Sequence, residues 1–214
     1  MTTNPDFFDL VRQYAPNVIN NVPYAQTLGF ELVDLEPGRA VAKAAYRKET
    51  IGDPETQVIH GGVVTALLDN VSGVAVIASL QELKSTATLD LRIDYMRPAD
   101  IEKDIIAEAE CYHLTRSVAF TRAWAYHESK DRVIATASGS FALNDIPMSS
   151  ITETKMGTKS TSFWIVIQMQ RGKISFAFNT EQQRAEMMKV MRQYLSTRPL
   201  GTGLHSILHS EICR

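Results

Sequence analysis

His60-Gly61-Gly62-Val63-Val64-Thr65-Ala66-Leu67-Leu68-Asp69-Asn70-Val71-Ser72-Gly73-Val74-Ala75-Val76-Ile77-Ala78-Ser79-Leu80 decides how this chain folds. From Gly61 onward the run has no proline and is apolar over most of its surface. It is long for a strand and reads as a helix buried on most sides. Such a helix needs a layer around it, and strand-forming sequence lies on both sides.

Phe30 to Leu35 and Arg39 to Tyr46 form a predicted hairpin, turned by Pro37-Gly38. Residues 47–59 are polar, and Gly52-Asp53-Pro54 marks a loop. After the helix, Leu89, Leu91, Ile93 and Tyr95 alternate with Thr88, Asp90, Arg92 and Asp94, which predicts a strand ended by Pro98. Asp104 to His113, Val118 to His127 and Val133 to Leu143 follow as three more. Ala107, Ala109, Ala119, Ala123 and Ala125 fall on single faces, which suits a helix packed closely across the sheet. Short links predict that the last four strands pair as antiparallel neighbours. The fold class is α+β, one long central helix wrapped by a mostly antiparallel sheet.

Residues 1–22 read as an N-terminal helical arm, with Phe7, Leu10, Val11 and Tyr14 at helical spacing and a break at Ala15-Pro16. Tyr24 to Leu28 adds one more turn. Residues 23–143 form the body, and 144–214 a C-terminal extension. In that extension 146–162 reads as a linker, Phe163 to Met169 and Ile174 to Asn179 as a hairpin. Thr180 with Gln183 reads as a capping box opening a helix with a Met187, Met188, Met191 stripe. The chain from Arg198 reads as loose.

The net charge of −2 over 214 residues is not that of a nucleic-acid binder. It sums an acidic body and an extension with nine Lys/Arg against five Asp/Glu. Two cysteines, Cys111 and Cys213, make no disulfide framework, and a reduced cytoplasmic setting is expected. The start is polar, without a signal pattern, and no stretch of 18 apolar residues predicts a membrane span. No histidine cluster has metal-ligand spacing, with His205 and His209 lacking a further ligand, so no metal or other cofactor is expected.

His60-Gly61-Gly62 stands where a polar loop meets the helix. The first helical amides lack intrahelical partners and sit at the positive end of the dipole. Two glycines let a ligand approach them, a ready place for a carbonyl oxygen that gains charge. The pair equally suits a plain loop-to-helix turn. Asp69 lies in an otherwise apolar run, so it is either satisfied locally, for instance by Ser72, or functional. It stands seven residues from Gly62, roughly 10 Å along the axis. Asp69 therefore cannot attack a carbonyl held at its own helix start, whereas a two-fold axis could bring it near Gly62 of a second copy.

His60-Gly61-Gly62, then Leu67 and Asp69, then Asn70 and Ser72-Gly73, resembles the signature of hotdog-fold acyl-CoA thioesterases. The nearest type is the phenylacetate-pathway and small mammalian group. Thr88-Leu89-Asp90-Leu91-Arg92-Ile93-Asp94-Tyr95-Met96-Arg97-Pro98-Ala99 resembles that family's strand after the helix, and Thr115-Arg116-Ser117-Val118-Ala119-Phe120 its following turn. The resemblance spans about Tyr24 to Leu143. It implies hydrolysis of an acyl-CoA to a free acid and CoA in a homodimer or homotetramer. The Gly62 amide, with Gly61 beside it, would polarise the thioester carbonyl. Asp69 would be general base or nucleophile, Thr88 would orient the water or Asp69, and His60 would shape the loop or contact the thioester. Tyr95, Met96, Arg97, Pro98 and Ala99, with His113, Arg116, Ser117 and Val118, would line the CoA channel, the arginines meeting phosphate. Many relatives carry asparagine in the loop before the glycines. Asp53 is the nearest equivalent here, and an ionised carboxylate would repel an oxyanion unless it caps the loop. A non-hydrolytic acyl-CoA binder on the same fold is the alternative reading, and a related hydratase matches less well at His60.

Overall fold

The computed structural model describes residues 5–20, 22–82 and 84–145, together with the backbone of 151–154, 163–169 and 172–178. Helix α1 (Pro5–Asn20) is followed by α2 (Pro23–Leu28) and a hairpin of β1 (Phe30–Glu36) and β2 (Arg39–Ala44). The long run forms α3 (Gly61–Ser79). Strands β3 (Lys84–Tyr95), β4 (Ile105–Leu114), β5 (Val118–Tyr126) and β6 (Ala135–Asp145) come next. The extension contributes β7 (Ile151–Thr154), β8 (Phe163–Met169) and β9 (Gly172–Phe178), hydrogen-bonded in that order. β8 and β9 are therefore neighbours, and β7 lies where the sequence reads as linker. The helix expected from Thr180, the loose end and His205 and His209 lie outside the described residues.

Helix α3 supplies the bulk of the core and the sheet supplies the room for it. Leu67, Leu68, Val71, Ala75 and Val76 are fully buried. Facing them are Ala40, Ala42 and Ala44 of β2, Ala107 and Ala109 of β4, Ala119, Ala123 and Ala125 of β5, and Ala135 of β6, all enclosed. Short side chains on the sheet let the helix axis come close, so each buried leucine contributes about 1.5–3 kcal/mol. By length and composition alone α3 could cross a bilayer, but here the sheet encloses it.

Two expectations change. The sheet order is β1-β2-β4-β5-β6-β3, and every described pairing in it is antiparallel. β3 pairs with β6 and not with β4, which lies between β2 and β5. Where the chain leaves β3, the Arg97 guanidinium donates to Asp100 Oδ1 at 2.9 Å and to the Arg132 carbonyl at 3.1 Å. The link after β3 is thereby tied to the β5–β6 connection. Second, α1 runs through Pro16. That proline is exposed, while Phe7, Phe8, Val11, Ala15 and Ile19 are buried, so packing on β1 and α3 holds the turn that the proline weakens.

On the outer face of the sheet Glu108 is almost fully buried. Its Oε1 accepts from Arg39 Nε and Lys130 Nζ, both at 2.7 Å, and its Oε2 from Tyr126 Oη at 3.2 Å. Lys130 also lies 4.5 Å from the Trp124 ring centre. Burial would raise the Glu108 pKa, but the bonds from Arg39 and Lys130 outweigh it and bring it from 4.5 down to about 2. A lowered folded-state pKa adds stability that is complete above about 4.5 and is lost as pH falls towards 2. Glu108→Gln should therefore lower stability by about 2–3 kcal/mol at pH 7. It should also flatten the acid limb of the stability profile. Urea unfolding across that pH range checks both.

Candidate active site

The start of α3 is held by its own loop. His60 is the N-cap, and its Nδ1 accepts from the Gly62 amide at 2.9 Å. The His60 amide donates to the Thr50 carbonyl at 2.9 Å, and the Val63 amide to the His60 carbonyl at 2.9 Å. Among the first amides of the helix, Gly61 alone makes no hydrogen bond within the described residues. A Cβ at Gly62 would stand 2.8 Å from His60 Nδ1, so the ring requires glycine there. A Cβ at Gly61 would have the Tyr95 ring and hydroxyl as its nearest neighbours, at ordinary contact distances of 3.4 Å and beyond. Because Nδ1 is the acceptor, the His60 proton sits on Nε2, and the ring is exposed.

The Gly61 carbonyl is held from the other side. Tyr95 Oη donates to it at 2.6 Å, and Thr65 Oγ1 lies 2.7 Å from Tyr95 Oη. Thr65 was not foreseen from sequence. Its spacing of four residues from Gly61 is visible there, but the contact with Tyr95, thirty positions on, is tertiary.

Asp69 is half-buried, and Thr88 Oγ1 donates to its Oδ1 at 2.8 Å. The hydroxyl and the carboxylate, linked in advance only by the family resemblance, meet here. The strand that delivers the hydroxyl differs from simple alternation. β3 carries a bulge between Thr88 and Asp90, so Leu89 is an extra residue and 60% exposed. The bulge shifts the phase by one, and Thr88 and Tyr95 then both reach α3 although seven residues separate them. The alternation that set Thr88 opposite Tyr95 holds only on one side of Leu89.

Asp53 acts inside its own loop. Its Oδ1 accepts from the Glu55 amide at 3.0 Å and its Oδ2 from Thr56 Oγ1 at 2.8 Å. The Thr56 hydroxyl bond, with the backbone bonds beside it, lowers its pKa. It caps a turn, as Asx side chains do. An Ile51–Ile59 bridge and the Gly52 amide on the Val58 carbonyl, at 2.8 Å, close the loop behind it.

The residues expected to line one channel lie at opposite ends of the sheet. Tyr95 pairs with Ala135 on β6, whereas Val118 pairs with Ala142. Those ends are about 23 Å apart along the strand. One end holds His60, Gly61, Gly62, Tyr95, exposed Met96 and Pro98, Arg97 and buried Ala99. The other holds Thr88, whose neighbour on β6 is Phe141, and the turn of His113 to Val118. Arg97 is engaged by Asp100 and two carbonyls. Arg116 is exposed and makes no ion pair among the described residues, and exposed Ser117 accepts from the Leu143 amide at 2.8 Å. No group of three His, Cys, Asp or Glu able to hold a metal occurs among the described residues.

A helix-start amide with no hydrogen-bond partner among the described residues and a hydroxyl-held carboxylate are parts suited to acyl transfer. The family model described as "Thioesterase superfamily" matches residues 56–134, which contain both. The medium/long-chain acyl-CoA thioesterase YigI of Escherichia coli is 26% identical over 138 residues, covering 58% of this chain and 86% of YigI. A crystal structure of a Pseudomonas aeruginosa protein is 35% identical with a TM-score of 0.57, covering 62% of this chain and 98% of that one. A mutant of the phenylacetic acid degradation protein PaaI from Thermus thermophilus is 27% identical with a TM-score of 0.50, covering 56% and 97%. From its matched motif and its helix-in-sheet architecture, the chain belongs to the thioesterase superfamily and has the hotdog fold.

Proposed function

We propose that this protein hydrolyses acyl-CoA thioesters at sites shared by two copies of the chain. The observation that carries this reading is the separation of the parts. Asp69 stands eight residues from Gly61, about 12 Å along one helix. The two groups of candidate CoA contacts also lie at opposite ends of β3. Strand β3 is an edge strand twelve residues long with an exposed stretch at 87–90. A bare edge of that length calls for a cover. Antiparallel pairing of two β3 edges about a two-fold axis sets Asp69 and Thr88 of one copy towards Gly61 and Tyr95 of the other.

In such a site the thioester carbonyl lies against the Gly61 amide, with the exposed His60 Nε2–H beside it. The sequence points first to the Gly62 amide, but in this arrangement that amide stays on His60. Thr88 holds Asp69 Oδ1, and Oδ2 takes a proton from water as the water attacks the carbonyl carbon. The negative tetrahedral oxygen is stabilised by the helix-start amide. The C–S bond then breaks, and the thiolate of CoA takes the proton from Asp69. No metal enters this sequence of steps. Direct attack by Asp69, through an anhydride, uses the same groups. The name of YigI supports acyl-CoA as substrate. Arg116 is the better placed phosphate contact, since the Arg97 guanidinium is already engaged.

Asp69→Asn should reduce thiol release from acyl-CoA at least a hundredfold, with circular dichroism and oligomeric size unchanged. Near-normal turnover would sink the mechanism. Mixing refolded Asp69→Asn and Gly61→Val chains, each inactive alone, should restore part of the activity. A site complete within one chain would show no such recovery. Arg116→Ala should raise KM for acyl-CoA about fivefold and weaken its salt dependence, leaving kcat nearly unchanged. Steady-state kinetics at two ionic strengths measure this.

A further inference from the structure

The Tyr95 hydroxyl, 50% of whose residue is exposed, points back to the peptide at the start of α3. The bonds there join end to end. Thr65 Oγ1 lies 2.7 Å from Tyr95 Oη, and Tyr95 Oη donates to the Gly61 carbonyl at 2.6 Å. That carbonyl shares one peptide unit with the Gly62 amide, which donates to His60 Nδ1 at 2.9 Å. With Tyr95 donating to Gly61, the Thr65 proton completes the chain by pointing to Tyr95. The direct line from Thr65 to the Gly61 carbonyl is longer, 3.3 Å.

We infer that Tyr95, supported by Thr65, is a positioning residue that fixes and polarises the Gly61–Gly62 peptide, so that His60 presents Nε2–H beside the Gly61 amide. The inference rests on the thioesterase reading and deepens it. A donor on a peptide oxygen strengthens the N–H of the same peptide unit, and hydrogen bonds in series reinforce one another. Donation into His60 Nδ1 keeps the ring in its Nε2–H form and fixes its rotation. The same clamp withholds Gly62 from a substrate and leaves Gly61 available. Asp53 is occupied as a loop cap and supplies no donor, so a second donor beside Gly61 falls to the exposed His60 ring. Tyr95 thus acts through Gly61 and His60, not through contact with the CoA moiety.

The two roles differ in kinetics. Tyr95→Phe keeps the ring and removes only the hydroxyl. It should lower kcat about tenfold with KM for acyl-CoA within twofold of the parent. Thr65→Val should lower kcat about threefold, and Thr65→Ser, which keeps the hydroxyl, should restore it. A Tyr95→Phe protein with kcat within twofold of the parent, or with its loss confined to KM, overturns the proposal. Should that variant fail to fold, the Thr65→Val and Thr65→Ser pair decides. Amide exchange at Gly62, read by NMR on the parent and on Tyr95→Phe, tests the clamp without turnover. Faster exchange in the variant supports the clamp, and unchanged exchange overturns it. A parent chain that releases thiol from no acyl-CoA defeats the thioesterase reading instead, and the exchange result still stands.

Discussion

Close approach between α3 and the sheet is the constraint on which everything else rests. A helix this apolar is stable in water only when covered, and a sheet covers it only by coming near. The alanines on the inner faces of β2, β4, β5 and β6 make that approach possible. Larger side chains there would hold the helix away and open voids beside Leu67 and Leu68. The same faces leave room for small side chains, fully buried Thr121 of β5 among them, while charged and aromatic groups such as Arg39, Glu108, Trp124 and Lys130 collect on the outer surface. There they satisfy one another.

Enclosing the helix also decides where chemistry can occur. The buried residues of α3 have no access to a substrate. What remains is its first turn and the flank where Asp69 is half-buried beneath β3. Both are served by β3, whose bulge at Leu89 lets one strand send Thr88 to the carboxylate and Tyr95 to the helix start. Without that extra residue, one of the two side chains would point away from the helix.

The two places lie too far apart on one helix to act on one carbonyl. In the proposed two-fold arrangement the separation becomes useful, because antiparallel pairing of two long elements brings opposite ends together. The exposed edge of β3 has the length for this. The arrangement also divides the work between copies: one contributes the helix-start donors, the other the carboxylate and its hydroxyl.

The sequence by itself determined the buried helix, its limits and most strands, because local periodicity and punctuation report burial directly. It also marked Gly61, Gly62 and Asp69 as candidates, since a charge in an apolar run and glycines at a helix start stand out without a structure, while Thr88 and His60 entered through the resemblance to the thioesterase signature. Tertiary structure alone decided that β3 pairs with β6, because a short link limits reach but does not choose between edges. It decided that Gly62 is taken by His60 and Gly61 is not, since both amides look alike in sequence. It assigned Arg97 to Asp100 and the Arg132 carbonyl, where sequence offered phosphate contact, and Asp53 to its own turn, where sequence left a loop cap and a place beside the substrate both open. It also revealed Thr65 and the route from Tyr95 to Gly61. These are contacts between groups distant along the chain or facing one another across a bulge. No periodicity records them, because they depend on where two rigid elements stop relative to each other.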